Sequence, residues 1–357
     1  MNKRYALVLS GGGTRGVYQI GVWKALRELN VCCDLIIGSS IGAVNAALMT
    51  QGDWAEAHRL WKNISLENVV DLPKKGKDFF QWVQNQTEFI CRFFGLPGIS
   101  TDPLKQMLEQ HIDEEKIRHS GIRLGLTTFN LSSLKQEELM IDDIPSGELS
   151  RYLLAATAFP GLQSQRINGK RYLDGGMADN IPYGLIRDSG YKNIIVVDIS
   201  GLGRNKTPDY VGVNLVYIKN SMDFGKLSTV FGVFDFSSEF LERFEELGYL
   251  DTMKVFEQCY GIEYFIKDDE LSSRIASALA KDEMIKAYRA AVPYALRYYV
   301  KPEMALADLA ARNAGLNRIK MYKFTEIIDE IIAFFDENPQ KENEISRLIR
   351  RMKRDYS

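Results

Sequence analysis

Two short apolar runs near the start of the chain are each stopped by glycines and followed at once by a helical pattern. They are "RYALVLSGGGTRGVYQIGVWKALRELN" and "DLIIGSSIGAVNAALMT". A run like "RYALVLS" ended by glycines reads as a buried strand. The pattern behind it reads as a helix, with Val17, Ile20, Gly21 and Leu29 as inward candidates. Strand, loop and helix alternating in this way argue for a parallel sheet covered by helices.

Further strands are expected at "IRLGLTTFNL", "QEELMI" and "NIIVVDIS", and "SQRINGKRYLDGG" reads as a hairpin turning at Asn168 and Gly169. Residues 100–120 read as helical from "STDPL", with Ser100 or Thr101 as N-cap and Pro103 in the first turn. "SRYLLAATAF" reads as a helix that stops at Pro160. Beyond about residue 220 the pattern is mostly helical; breaks along the chain are expected near Pro208 and around 261–270. The expectation is an α/β fold with a mostly parallel central sheet over 1–264 and a helical C-terminal extension over 265–357.

Gly11, Gly13 and Gly16 fit G-x-G-x-x-G between a strand and a helix. A dinucleotide site also needs an acidic residue at the end of the second strand. Asp34 stands before "LII" rather than after it, and the loop lacks a P-loop's Gly-Lys-Ser/Thr ending. A nucleotide-binding oxidoreductase therefore explains only the first loop, and no cofactor is expected.

In the acid's place stands Gly38-Ser39-Ser40-Ile41-Gly42, a G-x-S-x-G at a strand-to-helix junction. That is the setting of a nucleophile elbow, where Gly38 and Gly42 allow the sharp turn that exposes Ser40. The plain alternative is a tight turn whose serine caps the helix. Consecutive strand–helix turns of a parallel sheet emerge at one edge, so residues 11–16 and 38–42 should face each other. Gly12 and Gly13 would then offer N–H donors to an oxyanion opposite the serine. Arg15 either assists anionic head groups or forms a surface salt bridge.

A serine nucleophile needs a group to take its proton. His58, His111 and His119 sit in polar helical stretches and read as exposed. None follows a late carboxylate as an α/β-hydrolase triad requires. A carboxylate acting directly is the remaining option. Asp174, at the end of a hairpin strand, is the candidate, and Gly175 and Gly176 let its backbone approach another loop. Asp179 is the rival, in a segment that looks like the start of a turn. Asp174 would need a dry site to serve as a base.

"GGGTRG", "GSSIGAVNAA", "ATAFPG" and "YLDGGMADNIP" occur here in the order and spacing of the patatin-like phospholipases, over roughly residues 5–200. "DFSSEFLERFEELGYLDTMK" also resembles the helix that closes bacterial members. Ser39 and Thr157 depart from the commoner Thr and Ser. The resemblance implies a three-layer α/β/α fold and a Ser–Asp dyad, with Ser40 the nucleophile and Asp174 the base. It makes Gly11, Gly12 and Gly13 the oxyanion loop. It also implies hydrolysis of acyl esters of phospholipids, lysophospholipids or neutral lipids without a metal. A catalytically silent lipid- or protein-binding module on the same fold is the alternative.

The formal net charge of -2 gives no global basic field, so nucleic acid is not an expected partner. Cys32, Cys33, Cys91 and Cys259 form no C-x-x-C or zinc spacing, and reduced thiols in a cytoplasmic protein are the simpler reading. No apolar run is long enough for a membrane span, so any membrane contact is expected to be peripheral. Two segments are candidates for meeting lipid. Residues 79–94 are strongly aromatic, with Trp82, Phe89 and Phe93 off the main apolar stripe, and read as core on one face and lid or acyl groove on the other. "NEISRLIRRMKRDYS" makes a basic amphipathic helix, which either binds anionic membranes or docks on the body. The sequence leaves the oligomeric state open.

Overall fold

Arg4–Leu9 forms β1, which pairs in parallel with β2 (Cys32–Ser39) on one side and β7 (Asn193–Asp198) on the other. The protein is a computed structural model, and the residues described are 4–71, 98–187, 189–199, 211–222, 234–279 and 301–356. The aromatic segment 79–94 and the break at Pro208 lie outside the described residues. The chain divides into two compact units, residues 1–251 and 252–357.

In the first unit the sheet runs β5-β6-β3-β2-β1-β7-β8, with β4 added to β3. Here β3 is Arg123–Asn130, β4 Lys135–Met140, β5 Gln165–Ile167, β6 Lys170–Asp174 and β8 Asn214–Lys219. Pairings among β1, β2, β3, β7 and β8 are parallel; those of β3 with β4 and β6, and of β5 with β6, are antiparallel. The β5–β6 hairpin turns at Asn168 and Gly169, both with positive φ, as an Asn-Gly turn requires.

Both faces of the parallel core are covered, which is why its strands read as unbroken apolar runs. Ala6, Val8, Leu35, Ile37, Ile194 and Val196 pack on one face against Ile181, Tyr183 and Ile186, around the short helix α7 (Gly184–Arg187). On the other face α2 (Ile41–Gln51) lies over β2 and β3, and α6 (Leu149–Ala156) lies over β3 and β6. The fold is thus α/β with helical layers on both sides of a mostly parallel sheet.

Three further helices of this unit bear on the site: α1 (Val17–Glu28), α3 (Trp54–Lys62) and α4 (Asp102–His111). At the start of α3 the Asp53 carboxylate accepts the Glu56 N–H, a cap worth about 1 kcal/mol. At α4 the Ser100 hydroxyl, rather than Thr101, accepts the Asp102 N–H. The long helix α8 (Ser238–Val255) approaches α1 most closely at two glycines. A Cβ on Gly21 would collide with the Glu245 carbonyl, and one on Gly248 with the Tyr18 carbonyl. The Tyr18 hydroxyl, fully buried beside this crossing, donates to Asp251 at 2.8 Å.

The second unit is not purely helical. β9 (Phe265–Lys267) and β10 (Met321–Lys323) form a small parallel sheet. Around it lie α9 (Glu270–Leu279), α10 (Pro302–Ala314), α11 (Phe324–Glu337) and α12 (Glu344–Tyr356). The Asp308 carboxylate accepts the N–H groups of Ile262, Glu263 and Tyr264, fixing the turn that leads into β9. The apolar stripe of α12, Leu348, Ile349 and Met352, is buried in this unit's core with Ile327, Ile331 and Phe335.

Candidate active site

A single strand sets the positions of both candidate catalytic groups. β4 occupies one edge of β3 along Gly125–Asn130, so β2 and β6 must share the other edge. β2 pairs there up to Ser39 opposite Thr127, and β6 arrives from the opposite direction with Asp174 opposite Thr128. Two strand ends therefore meet at neighbouring residues of β3. Ser40 leaves one end as Asp174 closes the other, and the Ser40 hydroxyl donates to Asp174 Oδ2 at 2.5 Å.

Ser40 turns the chain from β2 into α2 with φ 53° and ψ -130°, a conformation L-residues seldom adopt. Holding it costs of order 1–3 kcal/mol, which the packing on either side must supply. A Cβ on Gly38 would collide with the Gly42 carbonyl, and one on Gly42 would stand 2.5 Å from the Leu9 carbonyl oxygen. The serine makes no capping bond to α2, so the plain reading of a helix-capping serine does not describe this turn.

Asp174 is 3 % exposed, and burial pushes its carboxyl up from 3.8 to about 6. Hydrogen bonds from Ser40 and from the Gly176 N–H, at 2.8 Å to Oδ1, work against that rise and are outweighed. Gly175 lies directly on Thr127 of β3, where a Cβ would stand 2.5 Å from the Thr127 carbonyl oxygen. Asp179 Oδ1 accepts the Ile181 N–H, as in an Asx turn.

The glycine loop faces the serine. Its entry is fixed by Ser10, whose N–H donates to the Val197 carbonyl and whose Oγ accepts the Ile199 N–H. Its exit is fixed by Asn45, whose Nδ2 donates to the Gly16 carbonyl and to Gln19 Oε1. Gly11, Gly12 and Gly13 behave differently from one another. The Gly11 N–H donates to Asn180 Oδ1 at 3.0 Å. The N–H groups of Gly12 and Gly13 have no acceptor among the described residues. Arg15 is buried, not a surface residue, and burial lowers its pKa.

Gly12, Gly13, Ser40 and Asp174 meet at a cavity whose walls are otherwise almost wholly apolar. Trp61, Leu104, Met107, Phe159, Leu162 and Phe234 are among the residues that line it. The Trp61 indole N–H donates to Asn45 Oδ1 at 2.9 Å, which locks the ring. Leu104 and Met107 share α4, but the other lining residues come from distant segments, so no spacing in the sequence groups them.

The histidines are engaged elsewhere, and two of the three are not exposed as expected. His58 is half-buried, with Nδ1 2.8 Å from Glu245 and its ring stacked on Trp54. His111, also half-buried, pairs with Glu56 at 3.0 Å. His119 is exposed and bonds within its own turn, to the Glu115 carbonyl. No cluster of three or more metal-ligating side chains occurs among the described residues. No helix among them is long and apolar enough to cross a membrane.

A mostly parallel sheet, a serine strained at a strand-to-helix turn, and a buried aspartate hydrogen-bonded to it define an α/β protein with a serine–carboxylate pair at one sheet edge. Residues 7–186 match the family described as "Patatin-like phospholipase", and the chain belongs to that family. The chain is 26% identical over 208 residues to "Patatin-like phospholipase domain-containing protein 7" of Mus musculus, a match covering 57% of this chain and 14% of that protein. It is 28% identical over 213 residues to "Lysophospholipase nte1" of Aspergillus terreus, covering 58% of this chain and 13% of that one. The chain thus spans only about a seventh of the length of these relatives. Among solved structures, VipD from Legionella pneumophila aligns over 98% of this chain and 84% of its own, at 14% identity and a TM-score of 0.42.

Proposed function

We propose that the protein is a serine acyl hydrolase that cleaves fatty-acyl esters of phospholipids or related lipids through Ser40 and Asp174. The observation that carries the reading is the 2.5 Å hydrogen bond from Ser40 to a carboxylate that burial holds at about 6, at the edge of an apolar cavity. Near neutral pH this carboxylate is ionised, yet far more basic than an ordinary aspartate, as a general base should be. It takes the Ser40 proton as Oγ attacks the ester carbonyl. The N–H groups of Gly12 and Gly13 receive the oxyanion, Gly11 anchors their loop, and the positive end of α2 lies behind the serine. The alcohol departs with the proton from Asp174. Water, deprotonated by the same carboxylate, then releases the fatty acid and restores Ser40. The apolar walls fit an acyl chain. The relative named as a lysophospholipase supports the lipid substrate class.

Labelling with a fluorophosphonate probe, with the adduct located by peptide mass spectrometry, tests this directly. A single adduct on Ser40, absent from Ser40→Ala, is the expected result. A folded chain that takes no label would leave the silent binding module as the better reading.

A further inference from the structure

Asn180 stands six residues after Asp174, in a segment whose sequence looks like an ordinary turn. Its side chain is 1 % exposed and bonds the backbone of the glycine loop in both directions. Asn180 Oδ1 accepts the Gly11 N–H at 3.0 Å, and Asn180 Nδ2 donates to the Gly11 carbonyl at 3.2 Å. Both backbone groups of Gly11 are therefore held by one amide from a residue 169 positions away.

The fit around that amide is close. A Cβ on Gly11 would stand 2.6 Å from both Asn180 Oδ1 and Ser40 Cβ, so the loop backbone threads between the amide and the serine. A Cβ on Gly176 would stand 2.8 Å from the same Oδ1, so the amide also presses on the turn whose N–H holds Asp174. One side chain thereby joins the oxyanion loop to the turn carrying the base. A glycine-rich loop has many accessible conformations, and hydrogen-bonding both groups of its first glycine removes most of them.

We propose that Asn180 is a positioning residue for the oxyanion hole: by clamping Gly11 it aims the free Gly12 and Gly13 N–H groups at the carbonyl oxygen attacked by Ser40. It touches no substrate. Its effect falls on the charged transition state, where preorganised donors matter most, and not on ground-state binding in the apolar cavity. The proposal rests on the Ser40–Asp174 reading.

The test uses the full chain, with a fluorophosphonate and p-nitrophenyl butyrate as probes, on wild type and Asn180→Ala. The expected result is a fall of about 10²-fold in both labelling rate and kcat, comparable to losing one oxyanion donor. KM stays within about threefold, because ground-state binding is untouched. The acid limb of the pH profile stays at about 6, because the Asp174 bonds are unchanged. Equal labelling of wild type and variant overturns the role of Asn180 alone. A rise in KM together with a displaced acid limb also overturns it, since that marks general support of the fold. A wild-type chain that takes no label removes the Ser40 reading, and this one with it. Should Asn180→Ala fail to fold, the isosteric Asn180→Asp decides. It keeps the acceptor for the Gly11 N–H and loses the donor to the Gly11 carbonyl. A drop of about tenfold or more in kcat at unchanged KM supports the clamp, and wild-type kcat overturns it.

Discussion

Asp174 is placed where ionisation is costly, and the proposed mechanism uses it in the form that costs. In the fold its carboxyl titrates near 6; in the unfolded chain it returns to about 3.8. Between those values the native state keeps a proton that the unfolded chain has released. The contribution to stability is therefore complete below about pH 4 and is lost as pH rises through 6. Consequences follow for both rate and stability. kcat/KM should climb with pH through about 6, because the reaction needs the ionised base. Asp174→Asn should lose turnover by at least about 10²–10⁴-fold, the usual contribution of a general base. The same variant should gain in melting temperature relative to wild type between about pH 4 and pH 8. A pH-independent difference in melting would show that burial does not set this carboxyl's affinity for protons.

Helix α8 meets α1 backbone to backbone at two glycines, beside the Tyr18–Asp251 hydrogen bond. At Gly21 and Gly248 the opposing backbone carbonyls occupy the space a methyl group would need. Gly21→Ala should therefore destabilise by about 1–3 kcal/mol or more, well beyond the modest gain in helix propensity. Urea unfolding would measure it; a stabilised Gly21→Ala would mean the helices separate freely. This contact shows how far local sequence reaches. Gly21 is recognisable as an inward residue of an amphipathic helix, but nothing in the sequence says that Gly248 lies across from it. β1, the glycine loop, β2 and the elbow are legible because apolar run, glycines and helix follow one another directly. β9 and β10 are three residues each, and their pairing joins segments far apart in the chain. Asn180 is hidden for the same reason, since a polar residue two before a proline reads as a turn until Gly11 is brought to it. His58 reads as exposed because its partner Glu245 is supplied by α8.

At the scale of the whole chain, the matched segment 7–186 stops short of β7, whose pairing with β1 completes the parallel core, and the second unit has a core of its own. The cationic terminal helix belongs to that core. Leu348, Ile349 and Met352 are buried there, while Arg350 pairs with Asp336 at 2.7 Å and with Glu342 at 2.9 Å, and Lys353 pairs with Asp329. Such surface pairs each contribute about 0–1 kcal/mol, so the apolar stripe holds the helix in place. For α12 to enter a lipid surface it would first have to leave this core, giving up about 1.5–3 kcal/mol for each buried side chain. Ile349, 1 % exposed, is the sharpest probe. Ile349→Ala should cost about 2–5 kcal/mol through lost contacts and the cavity left behind. The loss should show as faster hydrogen exchange across α10 and α11, which share the core with α12. Unchanged exchange there, combined with weaker capture by anionic liposomes, would mean that Ile349 faces lipid in solution and that the helix works at the membrane.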